Sequence, residues 1–294
     1  MRKWCIVSRN FILLLTAILF LLSSSSCSGD YPADEELNIF AGAAVKPALE
    51  RAIVEFEENN DVKININYGG TGTMLSRMQM SDRGDIFISG SPGYMKRAEK
   101  NDLVEAKTRL KLAYLVPGIL VPRDNPAAIE ELQDLTASGL RLGLANPESV
   151  VIGRYGLEIL EYNDLTEPFL ANTVSLAGSL ASLNRLIINQ QVEGAIGFRI
   201  SEKWNPDRIK HIPLPPDQLP RISYLAGAVA GDTDRRQTAD DFLGFLNSER
   251  GREIFQAQGY LVNKEEVLAR TGEDQIGGSF EIPGDYHQLL DSRE

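Results

Sequence analysis

The stretch VKININY at residues 62–68, GGTGT at 69–73 and MLSRM at 74–78 decides the fold of this chain. It predicts a strand that ends in a glycine-rich turn and opens directly into a helix. The first turn of a helix has N–H groups without intrahelical acceptors and the positive end of the helix dipole, so it attracts anions. Thr71 adds a hydroxyl. The stretch therefore indicates an anion site, although glycine-rich turns also commonly connect a strand to a helix without binding a ligand.

Three other segments repeat this pattern. Residues 37–40 predict a strand followed by small residues, and Pro47 suits the first turn of the next helix. Residues 140–145 predict a strand that leads into a turn at 146–153, and the small residues at 175–179 precede an apolar helical pattern. We expect the four helix openings to converge on one site.

The amino end indicates export. Three basic residues precede an apolar run at 11–22, which is too short for a membrane span and predicts a signal peptide over residues 1–26. Cys27 after small residues resembles a bacterial lipoprotein processing site, which implies a lipidated tether over 27–36. Leucine is usual three positions before such a cysteine, and here Ser24 stands there, so ordinary cleavage nearby is the alternative. We expect a periplasmic or extracytoplasmic lipoprotein anchored at a membrane.

Charge and cysteine content restrict the partners and the chemistry. The chain carries a net charge of −11, and loss of the three basic residues of the signal takes it to about −14, which argues against nucleic acid. The two cysteines are Cys5 in the signal and Cys27, so the folded body has neither a disulfide nor a thiolate metal site. An anionic ligand must therefore be held by local N–H groups in an enclosed site rather than by long-range attraction.

Strand and helix patterns alternate along most of the body. They do so over residues 37–100, and a second series contains predicted helices over 126–134, 149–161 and 178–190. Prolines recur too densely at 212–220 for a helix, so this segment predicts a loop. The order predicts an α/β fold with two mainly parallel sheets flanked by helices and joined by a hinge.

The apolar stretch at 112–121 indicates a first crossing between two lobes. We predict that lobe I comprises residues 37–116 plus 222–294 and that lobe II comprises residues 117–221. The crossings would lie near 115–118 and 213–226.

No motif indicates catalysis. His211 and His287 are the only histidines, and neither joins a catalytic or metal-binding pattern. The turn at 69–73 lacks the Gly-Lys-Ser/Thr ending of a nucleotide-binding loop. Asp85 could bind an amine or a metal, but the preferred interpretation is that it hydrogen-bonds the neighbouring loop. We expect a binding protein that is not an enzyme and has no cofactor or structural metal.

Five motifs resemble those of the periplasmic molybdate- and tungstate-binding proteins of ABC importers. They are FAGAA at 40–44, YGGTGT at 68–73, DIFISG at 85–90, NPE at 146–148 with VIG at 151–153 and Tyr155, and GAIGF at 194–198. The match spans roughly 37–262. It implies the two-lobed type II fold of periplasmic binding proteins, which closes on an oxyanion.

The resemblance also implies which residues contact the oxyanion. Carried over position by position, they are Ala44, Thr71, Ile152, Leu180 and Phe198. Better-known members have a serine where this chain has Ala44, and a tyrosine where it has Phe198. Both side-chain donors are therefore lost, while the main-chain N–H contacts survive in principle.

The implied function is capture of molybdate or tungstate by a monomer and delivery to an ABC permease in the membrane. The metal, molybdenum or tungsten, would be transported only as its oxyanion, so this function is a form of metal ion transport. Sulfate and phosphate are competing ligands. A lipid-anchored sensory or interaction protein with the same fold is an alternative from another class.

Overall fold

The computed structural model describes residues 36–81, 83–278, 280–284 and 286. The predicted signal peptide, Cys27 and nearly all of the tether lie outside these residues, as does His287. Among the helices of the described chain, none has the length and apolarity needed to cross a membrane.

The first sheet belongs to lobe I. Its strands are β1 (Glu36–Gly42), β2 (Lys63–Gly69), β3 (Ile86–Ser89), β4 (Leu110–Leu115) and β10 (Ser223–Val229). They lie in the order β2-β1-β3-β10-β4. The strand β1 pairs in parallel with β2 and β3, whereas β10 runs antiparallel to both of its neighbours. One reversed strand is thus inserted among four that share a direction.

The second sheet belongs to lobe II. Its strands are β5 (Pro117–Pro122), β6 (Leu142–Ala145), β7 (Thr173–Ala177), β8 (Gly194–Phe198) and β9 (Ile209–Pro213). They lie in the order β7-β6-β8-β5-β9, with β5 as the reversed strand. The two sheets have the same arrangement, which confirms the predicted fold class of two mainly parallel sheets with flanking helices.

Helices cover the sheets. The α-helices of the described chain are α1 (Lys46–Asn59), α2 (Thr71–Met80), α3 (Pro92–Lys100), α4 (Val151–Tyr162), α5 (Thr166–Asn172), α6 (Leu180–Ile188), α7 (Ile200–Trp204), α8 (Arg236–Asn247), α9 (Glu249–Ala257) and α10 (Lys264–Leu268). Short 3-10 turns include Ala43–Val45 and Leu132–Thr136. Serine side chains cap the openings of α3 and α6, which fixes where these helices begin.

The chain passes between the sheets twice. It changes sheet at Val116, between β4 and β5, and again between β9 and β10. The helices α8 and α9 then pack back against the first sheet. The predicted lobe limits of 37–116 plus 222–294 and 117–221 are compatible with these changes of sheet and stay a prediction.

The predicted helix over 126–134 is wrong. Asn125 and Ala128 adopt φ values of 45° and 51°, which a right-handed helix does not allow. The Asn125 side chain donates to Ile129 O at 2.9 Å and accepts from Ile129 N at 3.1 Å. The Asp134 carboxylate accepts hydrogen bonds from the backbone N–H groups of Glu130 and Glu131, which precede the 3-10 turn Leu132–Thr136. These local side-chain bonds replace the helical ladder.

The return crossing carries a largely buried ion pair. Arg221, which lies between β9 and β10, approaches the Glu158 carboxylate of α4 to 2.7 Å. The same guanidinium donates from Nη1 to Gly277 O at 2.8 Å. Hydrogen bonding to Glu158 raises the pKa of Arg221. The Arg221 guanidinium therefore connects the crossing to lobe II and to the segment after α10.

His211 of β9 should make the hinge region sensitive to acid. Its Nε2 is buried, and burial together with the charge of Arg199 lowers its pKa to about 4, while a hydrogen bond to the Pro117 backbone acts in the opposite direction. The unfolded chain binds this proton near pH 6.5, so stability is lost as pH falls from about 6.5 to about 4. We expect a contribution of about 1–2 kcal/mol to this loss by about pH 5.

Urea unfolding of the wild type and of His211→Gln, near neutral pH and near pH 5, measures this contribution. Carboxylates contribute equally to both proteins, so the comparison isolates the histidine. The wild type should lose more stability than the variant. Parallel pH profiles would contradict the assignment.

Candidate ligand-binding site

Backbone register places the four helix openings in two adjacent pairs. In lobe I, Gly42 at the end of β1 pairs with Gly69 at the end of β2. In lobe II, Ala145 at the end of β6 pairs with Ala177 at the end of β7. Parallel strands end at the same edge of a sheet, so each lobe presents two openings side by side.

The Thr71 side chain is packed among the lobe I loops. It is 4% exposed. Its Oγ1 lies 2.5 Å from the position that a Cβ on Gly42 would occupy, and 3.3 Å from the corresponding position on Gly90. The hydroxyl is thus held between the loops that follow β1 and β3, and only glycine at 42 leaves room for it.

The openings of the two lobes meet directly. Gly72 N donates to Ser149 O at 3.0 Å, and the Tyr94 hydroxyl donates to Glu148 O at 2.9 Å. A Cβ on Gly70 would lie 2.7 Å from Ser149 O and 3.1 Å from Gly178 O. The α2 opening therefore contacts the loops that precede both α4 and α6, and the structure is closed at this edge.

A second contact joins the remaining openings. The 3-10 turn Ala43–Val45, which precedes α1, packs against the helix α6 that begins at Leu180. Ala44 is 8% exposed, and its carbonyl accepts a hydrogen bond from the buried Tyr260 hydroxyl. This bond fixes the turn from the lobe I side. All four predicted openings thus take part in contacts between the lobes.

The structure brings most of the predicted site residues to these contacts. Thr71 adjoins Gly70 and Gly72, which touch lobe II. Ile152 follows Val151, whose Cγ2 lies 3.3 Å from the Cβ position of Gly90. Ala44 and Leu180 belong to the turn and the helix that pack together. Their role as ligand contacts stays a prediction.

Phe198 lies elsewhere in the arrangement. It ends β8 and pairs with Pro117 at the first crossing, and its ring is 1% exposed. It therefore occupies the hinge side of lobe II. Its role as a ligand contact also stays a prediction.

The residues at the tips of the converging loops carry no charged side chain, whereas Glu148 lies further back in the loop before α4 and Lys46 begins α1. Residues 42–44, 69–73, 149–153 and 178–181 are apolar, hydroxyl-bearing or glycine. Ser179 Oγ accepts from Ser182 N at 3.1 Å, so part of the first turn of α6 is already satisfied. The first N–H groups of α2, α4 and α6 have no intrahelical acceptor. The local electrostatics thus come from main-chain dipoles.

Asp85 serves the fold of lobe I. Its buried carboxylate accepts from Asn38 N at 2.7 Å and from the Thr233 hydroxyl at 2.5 Å, and it lies 3.6 Å from Arg235. These contacts confirm the interpretation that Asp85 hydrogen-bonds neighbouring loops. Within the described residues, histidine, cysteine, aspartate and glutamate form no group of three or more that could hold a metal.

Sequence reasoning missed the contacts made by Tyr94 and Arg154. Tyr94 is 5% exposed, and its hydroxyl forms a hydrogen bond from lobe I to lobe II. The Arg154 guanidinium lies 5.5 Å from the centre of the Tyr94 ring. Burial raises the pKa of Tyr94, and Arg154 partly offsets this effect. No local pattern around residue 94 or 154 signals these contacts.

Residues 37–261 match the family described as bacterial extracellular solute-binding protein. The chain belongs to this family. The match includes both sheets and all four helix openings. Family membership therefore agrees with the two-lobed fold and with a ligand held between its lobes.

Two curated relatives give the family context. The protein YvgL of Bacillus subtilis, named as a candidate ABC transporter substrate-binding lipoprotein, is 25% identical over 85% of this chain and 96% of its own length. The molybdate-binding protein ModA of Escherichia coli is 22% identical over 81% of this chain and 94% of its own. These matches confirm the resemblance predicted from the motifs. Both relatives are binding proteins, in line with a non-enzymatic role.

Solved structures share the fold. The periplasmic molybdate-binding protein of Azotobacter vinelandii has a TM-score of 0.67 at 16% identity, over 77% of this chain and 99% of that one. The sulfate-binding protein SubI of Mycobacterium tuberculosis has a TM-score of 0.69 at 13% identity, over 82% of this chain and 93% of that one. At such identities the likeness establishes the architecture alone.

Proposed function

We propose that this protein captures a small oxyanion between its lobes outside the cytoplasm and delivers it to an ABC permease, with molybdate or tungstate as the leading ligand. The observation that carries this proposal is the meeting of four helix openings, two from each lobe. Such openings stabilise a fully enclosed anion through N–H dipoles. The molybdate-binding relatives support the choice of ligand.

The proposed contacts combine main-chain and side-chain donors. The amides of Ala44, Ile152 and Leu180 and the hydroxyl of Thr71 would bind the anion, with Phe198 at the aromatic position. An amide N–H does not depend on its side chain, so Ala44 in place of serine removes one donor while the main-chain contact persists. Each lost neutral hydrogen bond reduces the binding free energy by about 0.5–1.5 kcal/mol.

Sulfate or phosphate is the competing ligand. Ala44 and Phe198 lack the two hydroxyl donors that the molybdate-binding resemblance would supply, which keeps another oxyanion open as the ligand. The sulfate-binding protein SubI shares the fold, so the architecture accommodates that anion as well. The loops themselves do not rank these ligands.

Closure of the lobes provides the mechanism. An anion in the cleft contacts both lobes only in the closed form, so binding shifts the open-to-closed equilibrium. The crossings at Val116 and between β9 and β10 are the segments about which the lobes would move. The closed form would then dock on the permease as a monomer. A sensory protein would use the same closure to dock on a membrane receptor.

Isothermal titration of the mature protein, stripped of ligand, with molybdate, tungstate, sulfate and phosphate tests the proposal. We expect tight binding of at least one anion, with molybdate or tungstate the strongest. A preference for sulfate would select the alternative ligand. Absence of heat with all four anions would exclude oxyanion capture.

We also propose that Cys27 carries a lipid anchor, which the description of YvgL as a lipoprotein supports. Membrane fractionation of cells that express the full chain or Cys27→Ser tests this point. The variant should leave the membrane fraction. An identical distribution of the two forms would contradict lipidation at Cys27.

A further inference from the structure

A small cavity lies beside the contact between Tyr94 and the loop before α4. It has a volume of about 130 Å³ and is bordered by Tyr94 and Arg97 of α3, by Arg154 and Tyr155 of α4, and by Phe280 and Glu281 of the segment after α10. We call it the arginine cavity. The helix α3 belongs to lobe I and α4 to lobe II, so the cavity spans the two lobes. Its volume suits a small ion rather than a large organic solute, which requires several hundred Å³.

The arginine cavity has excess positive charge. Arg154 donates from Nε to Pro147 O at 3.0 Å and from Nη1 to Phe280 O at 3.2 Å, so these partners are uncharged. Within the described part of the chain, no ion pair involves Arg97 or Arg154. Glu281 is the carboxylate among the described lining residues, and both Glu281 and Arg97 are exposed. Burial and, from just outside the lining, the charge of Glu148 raise the pKa of Tyr94. A concave site with two cations and one carboxylate stands out in a chain of net charge −11.

A buried hydroxyl adds to this environment. Tyr155 is 4% exposed and lines the arginine cavity. Its hydroxyl lies beside the Ser223 hydroxyl, and this interaction partly offsets the rise that burial causes in the pKa of Tyr155; Ser223 itself donates to Gly90 O at 2.8 Å.

We propose that the arginine cavity is a second anion site, which takes inorganic phosphate or an anion of similar size and charge. Arg97 and Arg154 would bind the anion from opposite lobes. The complete site exists only when the lobes are closed, so the anion would favour the closed form. This site is distinct from the proposed cleft site, because its lining includes none of Ala44, Thr71, Ile152, Leu180 and Phe198.

Binding of radiolabelled phosphate to the mature protein tests the proposal. Arg97→Gln removes one cation of the cavity, and Lys96→Gln removes an exposed charge from the same helix without touching the cavity. We expect Arg97→Gln to weaken phosphate binding roughly tenfold, because a charge-assisted hydrogen bond is lost. Lys96→Gln should change the affinity by less than about twofold. Equal weakening in the two variants would overturn the proposal.

Thr71→Asp separates the arginine cavity from the cleft. The phosphate that Arg97 binds should still be bound in this variant, and complete loss of phosphate binding would overturn the proposal. If Thr71→Asp does not fold, wild-type protein saturated with molybdate gives the same comparison of Arg97→Gln with Lys96→Gln. If no oxyanion binds in the cleft, the proposed function fails, but the comparison at Arg97 still decides the second site.

Discussion

Thr71→Asp is expected to abolish oxyanion binding in the cleft. The Thr71 side chain is buried between the Gly42 and Gly90 loops, so an aspartate there has no exposed position to occupy. Repulsion between unit charges 4 Å apart amounts to about 4 kcal/mol at an effective dielectric constant of 20, which exceeds a hundredfold loss of affinity. Isothermal titration with the preferred anion measures this loss.

Two milder substitutions at the same position control the experiment. Thr71→Ser keeps the hydroxyl and should bind within about threefold of the wild type, whereas Thr71→Ala should lose about fivefold, the value of one neutral hydrogen bond. An aspartate in the first turn of α2 interacts favourably with the helix dipole, so the variant should fold. Unchanged affinity in Thr71→Asp would place the anion elsewhere.

Much of the fold can be predicted from local patterns. The predicted strand over 62–68 corresponds to β2 (Lys63–Gly69) with a shift of one residue, and residues 74–78 lie within α2 (Thr71–Met80). Apolar periodicity and glycine-rich turns are local signals, and they suffice where the helix buries one face on a sheet. The same reasoning fails at 126–134, because side chains such as Asn125 bond the backbone in place of a helix.

Several short elements are not predicted from the sequence. Among them are α5 and β7, which are short and depend on their packing in lobe II. The strand β9 extends into the predicted proline-rich loop, where Pro213 pairs with Gly118. A proline is tolerated there because β9 lies at the edge of the sheet.

The site could be predicted only in part. The helix openings are visible as sequence motifs, and register explains why they meet in pairs within each lobe. The contacts between the lobes join residues far apart in the chain, such as Gly72 with Ser149 and Tyr94 with Glu148. No local pattern encodes such pairs, since they depend on the crossings and on how far the lobes close.

Gly70→Val is expected to weaken ligand binding about a hundredfold by preventing closure. Gly70 has φ −58° and ψ 137°, which valine also adopts, so the backbone of lobe I is not strained. The clash arises only across the cleft, where a Cβ would lie 2.7 Å from Ser149 O and 3.1 Å from Gly178 O. The variant should therefore fold normally and favour the open form. Titration of the anion together with small-angle scattering measures both effects.

Gly244→Val is the matched control for Gly70→Val. Gly244 lies in α8, and a Cβ there meets no atom within 4 Å, so this variant adds the same side chain without touching the cleft. It should bind the anion with wild-type affinity and close in the same way. A Gly70→Val protein that still closes and binds as the wild type does would mean that the ligand-bound form lacks the Gly70–Ser149 contact. The closed arrangement described above would then differ from the state that holds the ligand.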